Sequence, residues 1–173
     1  MQSDLRIAHD IQMGILPKIF PPFPDRHEFD IHAMLEPAKE VGGDFYDFFF
    51  MDHERLFFVV GDVSGKGVPA AILMAVTKTM IKAIAKGVST PDEILDKVNK
   101  EIAHDNESCM FITIFCGILN TKTGEVLYSN GGHLPPLVIH SGEGAEFLKG
   151  DTGIAVGISE EAAYKCNKIL LGP

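Results

Sequence analysis

Hydrophobic positions in residues 3–16 recur at helical spacing, with Leu5, Ala8, Ile11 and Ile15 in one stripe before Pro17 ends the run, which predicts an amphipathic helix. Residues 17–24 hold four prolines and two aromatics. Proline removes a backbone donor and restricts its predecessor, so this stretch reads as an extended connector. Phe29, Ile31 and Ala33 then alternate with Asp30 and His32, predicting a strand over 27–35. The apolar pattern is densest in residues 41–71. Two aromatic-rich runs flank the polar tetrad Asp52-His53-Glu54-Arg55 like the arms of a β-hairpin, and Gly65-Lys66-Gly67 leads to Pro69, a residue favoured at the start of a helix.

Beyond the hairpin, residues 68–86 predict a helix with Ile72, Leu73, Val76, Met80 and Ile84 on its core face and Gly87 as C-cap. A second helix opens at Thr90-Pro91-Asp92-Glu93, a capping box with proline in the first turn, and runs through Ile94, Leu95, Val98 and Ile102. The two helices should pack side by side. Residues 110–119, 126–129, 137–140 and 145–148 read as strands of an antiparallel meander, joined by turns at 120–124 and 141–144. Early strands, two helices and later strands make the fold class α+β, with sheet packed on sheet and helices on an outer face.

A hairpin that turns at His53 sets Asp44 opposite Asp62, Tyr46 opposite Val60 and Phe48 opposite Phe58. Directly opposed side chains lie about 4.5–5.5 Å apart at Cβ, where two carboxylates repel unless a shared proton or a bound cation neutralises them. A register shift of one residue would separate the pair, and an aspartate at a strand end also serves simply as a turn residue. Both faces of the two arms are mostly apolar, so the sheet should be buried on both sides. An acidic pair at the end of such a sheet costs solvation, which favours a ligand.

Composition narrows the function classes. The 173 residues, 46% hydrophobic and 23% charged, suffice for one substantial core. A formal net charge of -9 without a Lys/Arg cluster argues against a nucleic-acid partner. Three cysteines with no C-x-x-C pair suggest neither a disulfide framework nor a zinc ribbon, and fit a reducing cytoplasm. The apolar run near 110–119 is too short to span a bilayer and no targeting segment is evident, so no membrane partner is expected. Gly61-Asp62-Val63-Ser64-Gly65-Lys66 is not a nucleoside-triphosphate loop: the glycines are one residue too close, and Gly67 stands where Ser or Thr should follow the lysine. What survives is a glycine turn into a helix N-terminus with Lys66 beside it, a fair place for an oxyanion. His133 reads as a structural, hydrogen-bonded histidine, and Ser64 lacks a histidine at fixed spacing that would make it a nucleophile.

Four separated segments carry a family resemblance. Pro37-Ala38-x-Glu40-Val41-Gly42-Gly43-Asp44-Phe45-Tyr46-Asp47, Gly61-Asp62-Val63-Ser64-Gly65-Lys66-Gly67-Val68-Pro69-Ala70-Ala71, Met110-Phe111-Ile112-Thr113 and Asn130-Gly131-Gly132-His133-x-Pro135-Pro136 resemble, in order, the bacterial serine phosphatases of the SpoIIE type. These belong to the metal-dependent protein phosphatase 2C-like superfamily. The segment Ala8-x-x-Ile11-Gln12-x-x-Ile15-Leu16-Pro17 resembles the helix that in this family links a sensor domain to the phosphatase. The resemblance implies an α-β-β-α sandwich, with residues 1–18 as a regulatory linker helix and 19–173 as the phosphatase domain. It implies two Mn²⁺ or Mg²⁺ ions, with Asp44 and Asp62 as metal-ligating, catalytic aspartates and the backbone carbonyl of Val63 as a further ligand. The substrate implied is a phosphoserine or phosphothreonine protein such as an anti-sigma-factor antagonist, hydrolysed by a metal-activated water. Members continue past a Gly-Pro like Gly172-Pro173 to a further aspartate in a T-D-G context and a later acidic ligand, so these residues are expected to hold part of the metal shell and a sandwich lacking its last strands. Asp151 matches no family ligand, and Gly131 replaces a usual alanine. A different reading is a non-catalytic regulatory or dimerisation module, a homodimer formed through the N-terminal helix or an open sheet edge.

Overall fold

The computed structural model describes residues 2–37, 40–104, 106–142 and 144–172. Ala38 and Lys39 of the first motif, Glu143 of the expected 141–144 turn, and Pro173 lie outside the described residues. The first helix forms where the spacing predicts it, α1 over Gln2–Ile15, but it is rotated from the expected stripe. Ile11 is 63% exposed and Ile15 lies outward with Ile7, whereas Gln12 is buried and Met13 and Leu16 join the core. A polar side chain faces inward because the amide of Gln12 meets a backbone partner there.

The hairpin has the expected register. Strands β1 (Phe45–Phe50) and β2 (Arg55–Val63) pair antiparallel, with Tyr46 opposite Val60 and Phe48 opposite Phe58. Asp52 closes the turn: its Oδ1 accepts from the amides of Glu54 and Arg55 at 2.9 and 2.8 Å, and its Oδ2 accepts from Arg55 Nε at 2.6 Å. Residues 27–35 are extended but form no strand. Their alternation survives, since Phe29, Ile31, Ala33 and Leu35 are half-buried while the residues between them are exposed, but no ladder engages them. Amphipathic alternation reports a half-buried surface and not a pairing partner. The connector before them lies across β1, where Phe23 meets Phe50 and Phe48 at 4.8 and 6.0 Å between ring centroids and the Tyr46 hydroxyl donates to the carbonyl of Pro17 at 2.6 Å.

After β2 comes α2 (Val68–Ile84), which tightens into a short 3-10 turn over Ala85–Gly87, so the C-cap is Ala85 rather than Gly87. Its buried residues are Ala70, Met74, Thr77, Lys78 and Ile81, while Ile72 is 61% exposed and Val76 is exposed beside it. The expected face is therefore right in part: Leu73, Met80 and Ile84 pack against the core, while Ile72 and Val76 do not. The helix is apolar nearly all round, and its inward polar residues are satisfied: Thr77 Oγ1 donates to the carbonyl of Leu73, and Lys78 Nζ lies 2.6 Å from Asp47 Oδ2. Val68–Gly87 is also long and apolar enough to cross a membrane by length and composition, unlike the 110–119 run. Here it packs on β1, β2 and α3 (Pro91–His104), whose Ile94, Leu95, Val98 and Ile102 are buried as the spacing predicts.

The remaining strands are β3 (Ile112–Asn120), β4 (Glu125–Gly131), β5 (Leu137–His140), β6 (Gly144–Phe147) and β7 (Asn167–Leu170). They do not form one meander. A five-stranded antiparallel sheet runs in the order β1-β2-β3-β4-β7, and β5 and β6 pair as a separate, mostly exposed ribbon. The short β7, which no pattern announced, closes the edge beyond β4. One face of the sheet, carrying Phe57, Val59, Ile114 and Cys116, packs with α2 and α3 into the main core. On the other face Phe115, Val126 and Tyr128 form a smaller cluster. That face is part-covered by the connector and open at Val60, which is 42% exposed. Among the described residues the only other sheet is the two-stranded β5–β6 ribbon, as expected of a sandwich that lacks its last strands.

Candidate metal centre

The open face carries the chemistry at one end. Continuing the β1–β2 register outward from Phe45↔Gly61 brings Asp44, the residue before β1, level with Asp62, and Thr113 of β3 lies opposite Asp62 on the other side. Side chains at these positions project to the same face, away from the helices. His133 completes the row, its Nδ1 2.8 Å from Thr113 Oγ1. Asn130 holds the histidine's backbone from both sides, accepting from the His133 amide at 2.8 Å and donating to its carbonyl at 2.9 Å.

Two glycines let the strands close around the pair. A Cβ on Gly43 would sit 2.7 Å from the carbonyl oxygen of Val63 and 2.9 Å from its Cβ, so no side chain fits before Asp44. A Cβ on Gly61 would strike the Phe45 ring at 2.5 Å, and that ring seals the helix side beneath the site. The carbonyl of Val63, named with the aspartates from the sequence, is therefore at the same strand ends. Ser64 is tied down: its amide donates to the Phe111 carbonyl at 2.8 Å and its Oγ accepts from the Phe111 amide at 2.9 Å.

The acidic pair has no side-chain cation bonded to it among the described residues. The carboxyl of Asp62 is held above the usual aspartate range, first by partial desolvation, then by the charge of Asp44 and by a hydrogen bond between the two carboxyl groups; the charge of His133 opposes this. The His133 ring is pushed the other way, towards the neutral form, chiefly by burial, although Asp62, Asp44 and its bond near Thr113 favour protonation. Among the described residues no group of three or more His, Cys, Asp or Glu side chains is arranged to hold a metal. Two carboxylates and a neighbouring carbonyl are nevertheless hard oxygen donors of the kind Mg²⁺ and Mn²⁺ prefer. Their mutual repulsion is what a dication would relieve, so the donors present fit part of a shell.

A cavity of about 340 Å³ opens beside the pair, lined by Asp44, Asp62, Gly65 and Lys66 and walled by Leu35 and Pro37. The structure brings Asp44, Asp62 and the Val63 carbonyl to one end of the sheet, with two supports that the sequence did not single out. Thr113 appeared only within a motif, and its contact with His133 requires β3 and the loop after β4 to meet. Gln12 was likewise named only within the linker-helix segment, yet its Nε2 donates to the Gly42 carbonyl at 2.6 Å and its Oε1 accepts from the Gly42 amide at 3.1 Å, two residues from Asp44. Its place in that segment was the signal that could have found it.

With this geometry in place, likenesses to known proteins follow its outline. A model of the family described as stage II sporulation protein E (SpoIIE) matches residues 52–173. The chain is 29% identical over 166 residues to the phosphoserine phosphatase RsbU of Bacillus subtilis, covering 95% of this chain and 48% of RsbU. It is 28% identical over 197 residues to protein IcfG of Synechocystis sp., covering 98% of this chain and 30% of IcfG. The chain thus spans half or less of the length of these curated relatives. The SiaA-PP2C domain of Pseudomonas aeruginosa superposes with a TM-score of 0.81 at 21% identity, over 99% of this chain and 68% of that one. The RsbU and RsbW domains of Rv1364c from Mycobacterium tuberculosis give 0.67 at 26% identity, over 78% and 38%. The α+β architecture is that of a protein phosphatase 2C domain.

Proposed function

Because the chain belongs to the stage II sporulation protein E family, we propose that it is part of a metal-dependent protein phosphatase that hydrolyses phosphoserine on a regulatory partner protein, such as an anti-sigma-factor antagonist. The observation that carries this reading is the adjacency of the Asp44 and Asp62 carboxyl groups at one end of the sheet, where desolvation first and then the charge of Asp44 hold the Asp62 carboxyl above its usual range. In the proposal these two carboxylates and the carbonyl of Val63 hold Mn²⁺ or Mg²⁺. A divalent ion bound there would supply Lewis-acid polarisation of the phosphoryl group and a water of lowered pKa.

The chain's own residues do the rest. Gly43 lets the strand carrying Asp44 approach Val63, His133 is held beside the pair by Thr113 and Asn130, and the cavity beside Lys66 leaves room for a phosphoserine side chain. Ser64 is engaged with Phe111, which favours hydrolysis without a covalent serine intermediate. Residues 1–18 act in this reading as a regulatory linker helix, and the bond from Gln12 to Gly42 supports that role. The test is release of phosphate from a phosphoserine peptide by the full chain with Mn²⁺, alongside calorimetric Mn²⁺ titration. Asp62→Asn should lower the rate by about 100-fold or more and weaken Mn²⁺ binding in parallel, the loss expected when a metal's oxygen ligand is removed. Unchanged activity in Asp62→Asn would sink the reading.

One observation favours the second reading, a dimerisation module: Ile7, Ile11 and Ile15 form an exposed stripe at every fourth position along α1. Such a stripe suits a second copy of the same helix. Light scattering should then show a dimer, and a monomer throughout the concentration series would exclude association through α1.

A further inference from the structure

Among the described residues, Lys66 is the cation lining the cavity that holds the two aspartates. It is exposed, and among the described residues it has no hydrogen-bond or ion-pair partner. Neither aspartate has captured it: among the described residues no ion pair joins Lys66 to Asp44 or Asp62. Its backbone, by contrast, is firmly placed. Gly65 and Gly67 on either side have φ of 88° and 76°, a region that other residues adopt only with strain. Ser64 makes two hydrogen bonds with Phe111 before the turn, and after it the Ala71 amide donates to the Gly67 carbonyl at 3.1 Å in the first turn of α2. That helix has no side-chain cap at its N-terminus, so the partial positive charge there adds to the field at the turn. The arrangement presents a long, uncommitted ammonium group at the mouth of an acidic site.

Resting on the phosphatase reading above, we propose that Lys66 is the phosphate-binding residue of this site and selects dianionic phosphomonoesters. An ammonium already paired with Asp44 or Asp62 would be neutralised before substrate arrived. One left free beside them offsets the repulsion that two carboxylates exert on an incoming phosphate dianion, and it donates a charge-assisted hydrogen bond to a phosphoryl oxygen. Lysine suits this role as a mobile point charge, whereas the aspartates serve a cation.

The experiment compares Lys66→Met and Lys66→Arg with the unaltered full chain. The readouts are KM and kcat for a phosphoserine peptide with Mn²⁺, the inhibition constant of inorganic phosphate, and Mn²⁺ affinity by calorimetry. Lys66→Met should raise KM and weaken phosphate inhibition by about ten- to a hundred-fold, the range for a lost hydrogen bond to a charged group. Lys66→Arg should recover most of that loss, with Mn²⁺ affinity unaltered in both variants. Unchanged KM and phosphate inhibition in Lys66→Met overturn the proposal, as does a loss that merely follows weakened Mn²⁺ binding. If the unaltered chain releases no phosphate, the phosphatase reading fails, and phosphate binding to the Mn²⁺-loaded chain by calorimetry still decides whether Lys66 holds the anion.

Discussion

Strand β1 and the residue before it place acidic groups on opposite faces of one sheet, and the two environments are opposites. Asp47 points to the helices, is 3% exposed, and is met by Lys78 of α2 at 2.6 Å, with its other oxygen accepting from the Phe48 amide at 3.0 Å. Asp44 points to the open face, where its neighbour is another carboxyl group. The fold uses its buried cation where an unpaired charge would be most costly, in the core, and leaves the surface pair unneutralised. A buried, paired carboxylate is structural; an exposed, crowded one is available to a ligand.

The same chemical change should therefore have opposite consequences on the two faces. The largest effect is on function: Asp44→Asn, like Asp62→Asn, should remove about 100-fold or more of the phosphatase rate, while the melting temperature without divalent ions stays level or rises because a repulsion has been relieved. A melting temperature that falls as far as the rate does would show that the pair is structural after all. On the helix face the effect is on stability. Asp47→Asn or Lys78→Met should each cost about 3–5 kcal/mol by leaving one charge buried alone, and joining Asp47→Leu to Lys78→Met should recover much of it. Urea unfolding that finds the double variant no more stable than either single one would break the contrast.

The smallest effect lies at the far end of the hairpin. Asp52 is held at about 2, well below its usual 3.8, first by the Glu54 amide and then by the Arg55 side chain and amide. Its folded pKa is depressed, so its contribution to the turn is complete above pH 3.8 and is lost as the pH falls towards 2. Carboxyl-detected NMR should give a midpoint for Asp52 near 2. A midpoint near 3.8 would show that the turn does not capture the carboxylate.

Much of this was legible before any coordinates. The hairpin register followed from the tetrad and the aromatic arms, because a two-residue side-chain period leaves few ways to pair two apolar strands, and with it came the adjacency of Asp44 and Asp62. Helix α3 was read correctly in its apolar face, Ile94, Leu95, Val98 and Ile102, although Asn99 is buried beside them and bonds to the backbone of Gly157 and Ser159. Helices α1 and α2 were placed correctly but their inward faces were read only in part, with Ile11, Ile15, Ile72 and Val76 turned outward. Gln12 and Lys78 face inward because each has a specific partner about thirty residues away, which rules that send polar residues outward cannot anticipate, and Thr77 is satisfied locally by the Leu73 carbonyl. The strand expected at 27–35 failed for a related reason: alternation measures which side is buried, whereas a strand also needs a free edge to pair with.

By itself the sequence determined the local alphabet of the protein: where helices begin, how the hairpin is registered, and which four segments mark the SpoIIE family. Those features depend on spacing within short stretches, where backbone geometry leaves little choice. The tertiary structure alone decided which faces are buried, that Lys78 is committed to Asp47 while Lys66 remains uncommitted, and that Gln12, Thr113 and His133 converge near the aspartates. These depend on contacts between distant parts of the chain, and a charge acquires its role only when the fold has chosen its neighbours.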